Sequence, residues 1–341
     1  MARTRISDIA RRLGVSTATV SRAISGRGYV RGDLAERIRA TAHEMNYALP
    51  DAPAARKVLL ASSGDAMVDF QRSQFTLHVI EGLKARAGAL GVEIETHTFP
   101  SSGDLSDLCR AVAAGGILGV LFLTVDDAML PPIRALPCPV VLINGDDPEM
   151  RISSVTPCNR SAAALAARHL TALGHRDILF LTRMGRRTIL RRLEGLRDVL
   201  GESFVPALVV DVEDWTVAAA QAAVARALGA GKRFTAILAA GDILAAGAVL
   251  GLLDAGLSVP GDISVIGIDG LPQGEFVSPA LTTVAIPMQA VGAQALDLLA
   301  TTAKLRGTSL QLPAKRIELA CSLIERASTA PLSGHQVRPQ E

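Results

Sequence analysis

From residue 58 onward, short apolar runs alternate with stretches of helical spacing, and this alternation limits the folds open to the chain more than any other feature. The runs at 58–62, 92–98, 120–123, 140–143, 178–181, 208–212, 236–239 and 264–268 are continuous rather than alternating in polarity, which predicts strands buried on both faces. Between them, 75–90, 162–173, 218–228 and 244–255 carry helical spacing and end at Gly91, Gly174, Gly229 and Gly256. Strands alternating with helices imply parallel sheets covered on both sides. More units than one sheet accommodates imply two doubly wound lobes, with a ligand cleft at the carboxyl ends of their strands. Composition supports so large a core: 49% of the 341 residues are hydrophobic and 20% charged, which excludes a disordered or fibrous chain. With aromatics at 3%, that core is built from Ala, Val, Leu and Ile.

The first 57 residues differ in charge. They hold eleven Arg and Lys against five Asp and Glu, whereas the rest of the chain holds 24 against 28. A basic head on a mildly acidic body points to a polyanionic partner. Ile6, Ile9, Ala10 and Leu13 recur at helical spacing until Gly14 interrupts them. Ser16 then caps a second helix over 17–24, and a third is predicted over 33–45 with Leu34, Ile38, Ala42 and Met45 on one stripe. Two short helices joined by a Gly-containing turn build a helix-turn-helix. In that motif the start of the second helix meets base edges: here Thr17, Ala18 and, one turn on, Arg22. Arg22 can donate two hydrogen bonds to guanine, and Ala18 can touch a thymine methyl. The short hydroxyls of Ser16, Thr19 and Ser21 suit phosphate oxygens.

The ordered run from Asp8 through Arg22, continued by Gly28-Tyr29-Val30 and Asn46-Tyr47, resembles the DNA-binding signature of the lactose-repressor (LacI/GalR) family. Further along, Asn159-Arg160, Leu173-Gly174-His175-Arg176, Arg192 through Arg197, Gly267-Ile268-Asp269 and Pro279 through Val284 fall in the same family's order. The resemblance implies an α/β chain: a three-helix helix-turn-helix head, then a two-lobed periplasmic-binding-protein-like core of doubly wound parallel sheets. It implies a head over 1–48, a linker over 49–57 and a body over 58–328. The body's first lobe would take 58–156 and 287–310, and its second 157–286 and 311–328. The lobes would then be joined by crossings near 156, 286 and 311, with a disordered tail over 329–341. Tyr29 joins the DNA-contacting residues. A sugar-like effector between the lobes would meet Ser62, Asn144, Arg192, Trp215, Asp242 and Asp269. Trp215, the sole tryptophan, suits the face of a sugar, although a half-buried packing role remains open.

Three departures from that pattern shape the expectations. Where the family inserts a hinge helix, this chain has Pro50 and Pro53 and passes directly to a strand. A stiff linker is therefore expected, touching phosphates through Arg56 and Lys57 and bending DNA little. Gly241 stands before Asp242 where the family often has Asn, so one amide donor is lost. Arg183, Arg186, Arg187, Arg191 and Arg192 form a cluster that either faces the cleft, favouring an acidic or phosphorylated effector, or lies on a solvated surface.

Other chemistries lack their residues. Residues 229–233, Gly-Ala-Gly-Lys-Arg, do not complete a phosphate loop, no Gly-x-Ser-x-Gly elbow occurs, and the six histidines lack metal-ligand spacing. His175 is read as the anchor of a turn. No cofactor, metal or catalytic role is expected. Cys109, Cys138, Cys158 and Cys321 are scattered and read as buried apolar residues of a reducing compartment. Without a secretory signal, and with Asp242 and Asp254 interrupting the apolar stretch at 236–256, a cytoplasmic chain free of the membrane is expected. The whole reads as a ligand-responsive transcriptional regulator acting as a homodimer on double-stranded operator DNA. A solute-binding protein without a DNA role is the rival.

Overall fold

The computed structural model describes residues 5–25, 30–45, 47, 56–63, 74–100, 104–305 and 313–332. The chain divides into two compact units, Met1–Arg56 and Lys57–Glu341.

The first unit contains helices α1 (Ile6–Leu13), α2 (Thr17–Ser25) and α3 (Gly32–Glu44). Asp8 accepts a hydrogen bond from the Arg5 N–H at 2.9 Å, closing the start of α1. Gly14 takes φ 67°, the left-handed conformation that turns the chain between α1 and α2. Ile9, Ala10, Val20, Ala23, Ile38 and Ala42 are buried together, so the apolar stripes of all three helices meet in one small core.

The second unit contains two six-stranded sheets. The first has the order β11-β5-β4-β3-β1-β2 and the second β12-β10-β9-β8-β6-β7. The first comprises β1 (Arg56–Ser63), β2 (Val92–Phe99), β3 (Ile117–Leu123), β4 (Val140–Ile143), β5 (Ser153–Pro157) and β11 (Arg316–Leu319). The second comprises β6 (Ile178–Thr182), β7 (Val209–Asp211), β8 (Ala236–Ala239), β9 (Ser264–Asp269), β10 (Thr282–Ala285) and β12 (Ser322–Ile324). The described pairings are parallel except β10 with β12. Their double-sided burial is explicit in β1: Val58 and Leu60 enter one core, Leu59 and Ala61 another. In β6, Ile178 and Phe180 likewise part from Leu179 and Leu181.

The helices of this unit are α4 (Gln74–Leu90), α5 (Ser106–Ala113), α6 (Leu130–Arg134), α7 (Asn159–Ala172), α8 (Arg187–Leu200), α9 (Val217–Gly229), α10 (Asp242–Asp254) and α11 (Met288–Leu305). They pack in pairs, α4 with α11, α7 with α8 and α9 with α10. The stretch at 236–256 is thus β8 and α10, and among the described residues no helix is long and apolar enough to cross a membrane.

Several expectations are corrected here. The chain crosses between lobes after β5, after β10 and at 320–321, not near 311, because β11 pairs with β5 in the first sheet before β12 joins the second. The expected boundary itself, at 310–311, lies outside the described residues. Lys57 belongs to β1 rather than to a linker, and its ammonium pairs with Glu95 at 3.0 Å. Residues 329–332 are not a loose tail. The His175 ring bridges the Thr235 hydroxyl and the Ala330 carbonyl, each at 3.0 Å, and the Leu332 N–H donates to the Leu173 carbonyl. His175 therefore ties down the C-terminal segment in addition to its own turn. The cysteines are all free, but Cys109 is exposed and the other three are only half-buried.

Candidate functional site

Two surfaces stand out. The first is the outward face of α2. Val20 and Ala23 turn into the core, which leaves Thr17, Ala18, Ser21 and Arg22 exposed. The Ser16 hydroxyl accepts from the Thr19 N–H at 3.0 Å and lies 2.8 Å from the Thr19 hydroxyl, fixing the helix start. Arg22 meets no carboxylate among the described residues, whereas Arg12 is paired with Glu44 at 3.1 Å. Tyr29 and the side chain of Arg56 lie outside the described residues; the Arg56 main chain already belongs to β1.

The second surface is a cleft of about 300 Å³ at the carboxyl ends of the strands of both sheets. Each wall is built from the residue that ends or follows a strand: Thr124 after β3, Asn144 after β4, Arg183 after β6 and Asp269 at the end of β9. Three of these hold left-handed backbone without being glycine, with φ of 51° at Thr124, 55° at Asn144 and 137° at Asp269. Such strain persists where tertiary structure fixes it, and it gathers at binding sites. The Asn144 Oδ1 is buried without a hydrogen-bond partner, an acceptor that no donor meets.

Arg192 is the electrostatic centre. It is 5% exposed, and its Nε–H donates to Asn159 Oδ1 at 2.8 Å. Its Nη1 donates to the Ala240 carbonyl, and Nη2 lies 3.5 Å from Asp269. Asn159 is itself oriented by the Thr156 hydroxyl and the Pro157 carbonyl, each at 3.1 Å. Burial raises the carboxyl pKa of Asp269, the Asp242 charge raises it further, and Arg192 opposes both. Burial also raises Asp242, against hydrogen bonds from Thr283 and the main chain of 270–271.

Of the six residues expected around an effector, Asn144, Arg192, Trp215 and Asp269 line the cleft. Asp242 and Ser62 do not. Asp242, 4% exposed, opens α10 behind Asp269, accepting from the Thr283 hydroxyl at 2.6 Å and the Leu271 N–H at 2.8 Å. It holds the loop that presents Asp269. Ser62 is fully buried, and its neighbour Ser63 lines the cleft instead, because successive strand residues point to opposite faces. Thr124, Asp126 and Thr188 line the cleft and escaped the sequence reading. The position directly after each predicted strand was the signal that could have found Thr124.

Across the cleft mouth, Arg187 of α8 grips Asp127, which follows β3, through two hydrogen bonds of 2.7 and 2.8 Å. Arg191 reaches Asp146 at 3.2 Å, and Arg316 of β11 holds the same carboxylate at 2.7 Å. These pairs tie α8 of the second lobe to loops of the first.

Known proteins share this arrangement. The profile described as "Bacterial regulatory proteins, lacI family" matches residues 5–49, and that of a periplasmic binding protein-like domain matches 167–329. The HTH-type transcriptional regulator MalR of Streptomyces coelicolor is 30% identical, covering 98% of this chain and 99% of its own. Among solved structures, a transcriptional regulator CelR–cellobiose complex superposes with a TM-score of 0.70 at 25% identity, over 96% of this chain and 100% of that one. The Lac repressor dimer bound to operator and the anti-inducer ONPF gives 0.72 at 23% identity, with the same coverage, a likeness of fold. With a groove-sized helix exposed at its head and a two-lobed cleft in its body, the chain belongs to the lacI family of bacterial regulatory proteins.

Proposed function

We propose that this transcriptional regulator represses by laying α2 in the major groove of an operator, and that a sugar-like effector bound between the lobes modulates its grip. The observation that carries this reading is the division of α2, with Val20 and Ala23 packed inward and Thr17, Ala18, Ser21 and Arg22 left outward. Arg22 supplies the base-specific fork, while Ser16, Thr19 and Ser21, with Tyr29 and Arg56, serve the phosphates. As the relatives are transcriptional regulators, the chain is a regulator and not an enzyme. It acts in the cytoplasm, where its DNA is.

In the cleft, Asn144 offers an acceptor, Arg192 and Asp269 offer a donor and an acceptor, and Trp215 offers a flat apolar face. That chemistry fits a polyhydroxylated ring, as does the cellobiose of the CelR complex. Asp242 and Ser62 act as supports. Two copies serve two half-sites. Leu250 and Leu253, one turn apart on α10 and 44% and 45% exposed, are apolar groups for a second copy to cover. The effector shifts DNA affinity only by its differential affinity for two arrangements of the lobes, a coupling of about 1–3 kcal/mol.

A gel-shift assay on genomic fragments tests this. Arg22→Ala should lose about 1–3 kcal/mol on the specific site and relax base preference. Arg192→Ala should bind that fragment normally and ignore the effector. Loss of DNA binding in Arg192→Ala, with a normal ligand response, would overturn the assignment.

A further inference from the structure

Sorting the five arginines of 183–192 by what they touch separates them. Arg187 holds Asp127, Arg191 holds Asp146 and Glu194, and Arg192 faces Asp269. Arg183 differs: among the described residues its guanidinium meets no carboxylate, and its one hydrogen bond goes from Nε–H to the Glu213 carbonyl at 3.3 Å. It is exposed, it lines the cleft, and Arg186 lines the cleft three residues on.

Arg186 is the residue that opens α8, and Arg183 follows β6 on the loop leading into it. An α-helix concentrates partial positive charge at its amino end, normally balanced by acidic side chains in the first turn. The first turn of α8 has no acidic residue, and arginines are added to the same end. Among the described residues that line the cleft, Arg183, Arg186 and Arg192 stand beside Asp126 and Asp269, and Asp269 is already engaged by Arg192. Guanidinium forks match carboxylate and phosphate oxygens two at a time. The opposite wall supplies other chemistry, the unpartnered Asn144 Oδ1 for a hydroxyl. At roughly 30 Å³ per water, the cleft holds about ten waters, room for one sugar ring and a substituent.

We propose that the effector is an acidic sugar derivative, a sugar acid or a sugar phosphate, whose anionic group is held by Arg183 and Arg186 at the start of α8. This rests on the reading of the cleft as the effector site. A neutral sugar leaves the Arg183 charge unmatched, whereas a carboxylate or phosphate matches it and the helix end together.

Trp215 is the only tryptophan and lines the cleft, so its emission reports occupancy. Full-length protein is titrated with inorganic phosphate and with matched sets, such as glucose, glucuronate and glucose 6-phosphate or galactose, galacturonate and galactose 6-phosphate. At least one acidic member should perturb the emission at about tenfold lower concentration than its neutral parent. Arg183→Gln with Arg186→Gln should weaken that acid about tenfold more than its neutral parent. The proposal is overturned if neutral parents bind as tightly in every set, if the double variant binds the acid normally, or if no acidic member perturbs the emission. Operator binding is measured on the same samples. A chain whose operator grip responds to neutral sugars alone keeps the effector reading and loses this one; a chain that grips no operator under any condition loses the effector reading itself.

Discussion

A single Cβ at position 241 would fall 2.4 Å from Cζ2 of Trp215 and 3.1 Å from a carboxylate oxygen of Asp269. The backbone there is extended, at φ −167°, so any residue could adopt it; space alone demands glycine. Sequence reasoning saw at Gly241 only a missing amide donor, yet the volume of a side chain is taken by the indole. Gly241→Asn should therefore push the ring out of the cleft. Its expected signature is a shifted tryptophan emission and a lost effector response with operator affinity unchanged. At Asp242 the residue was legible but its direction was not, since only tertiary packing turns that carboxylate toward Thr283 rather than the cleft. Asp147 carries a pH prediction. Burial alone would raise its pKa, but the Arg134 guanidinium and the N–H groups of Glu149 and Arg151 outweigh that and hold it at about 2. A depressed carboxyl pKa contributes stability above the unfolded value of 3.8, lost as pH falls toward 2. Asp147→Asn should cost about 2 kcal/mol at neutral pH, and the gap to the parent protein should close across that acid range in urea melts.

Among elements, the buried strands were the most legible, because a strand covered on both faces has no polar alternation to disguise it. Strands β4 and β8 begin and end where their apolar runs do. Strands β5 and β10 were missed for a physical reason. Ser154, Thr156, Thr282 and Thr283 are buried hydroxyl residues, and those of β10 find their partners far away in sequence. Thr282, for example, accepts from the Arg326 N–H at 3.0 Å and gives its own N–H to Ser328 at 2.8 Å. Helix α8 hid behind its arginines, and although Arg192 was expected at the effector, its burial is legible only once Asn159 and Ala240 are placed beside it. The three helices of the head were legible, as was the Ser16 cap. The core of the head is small, so one truncation weighs heavily there: Ile38→Ala should remove about 2–5 kcal/mol. Calorimetry should then show the transition of the head moved to lower temperature and that of the body unmoved.

For the molecule as a whole, the ion pairs across the cleft set how firmly the lobes stay together. Asp127 and Arg187 are 59% and 30% exposed, so their pair contributes no more than about 1 kcal/mol and weakens with salt. Asp127→Asn should lower effector affinity only a few-fold, an effect that salt erases, and should enlarge the ligand-free body in small-angle scattering. The composite lobes have another consequence. Because β11 and β12 close the two sheets from opposite ends of one short span, 316–324, both halves of the body lack an edge strand until that span is made. At 5–20 residues per second, tens of seconds separate release of the head from the ribosome and completion of the body. For that interval each newborn chain carries its complete head on a body whose two sheets still have an open edge.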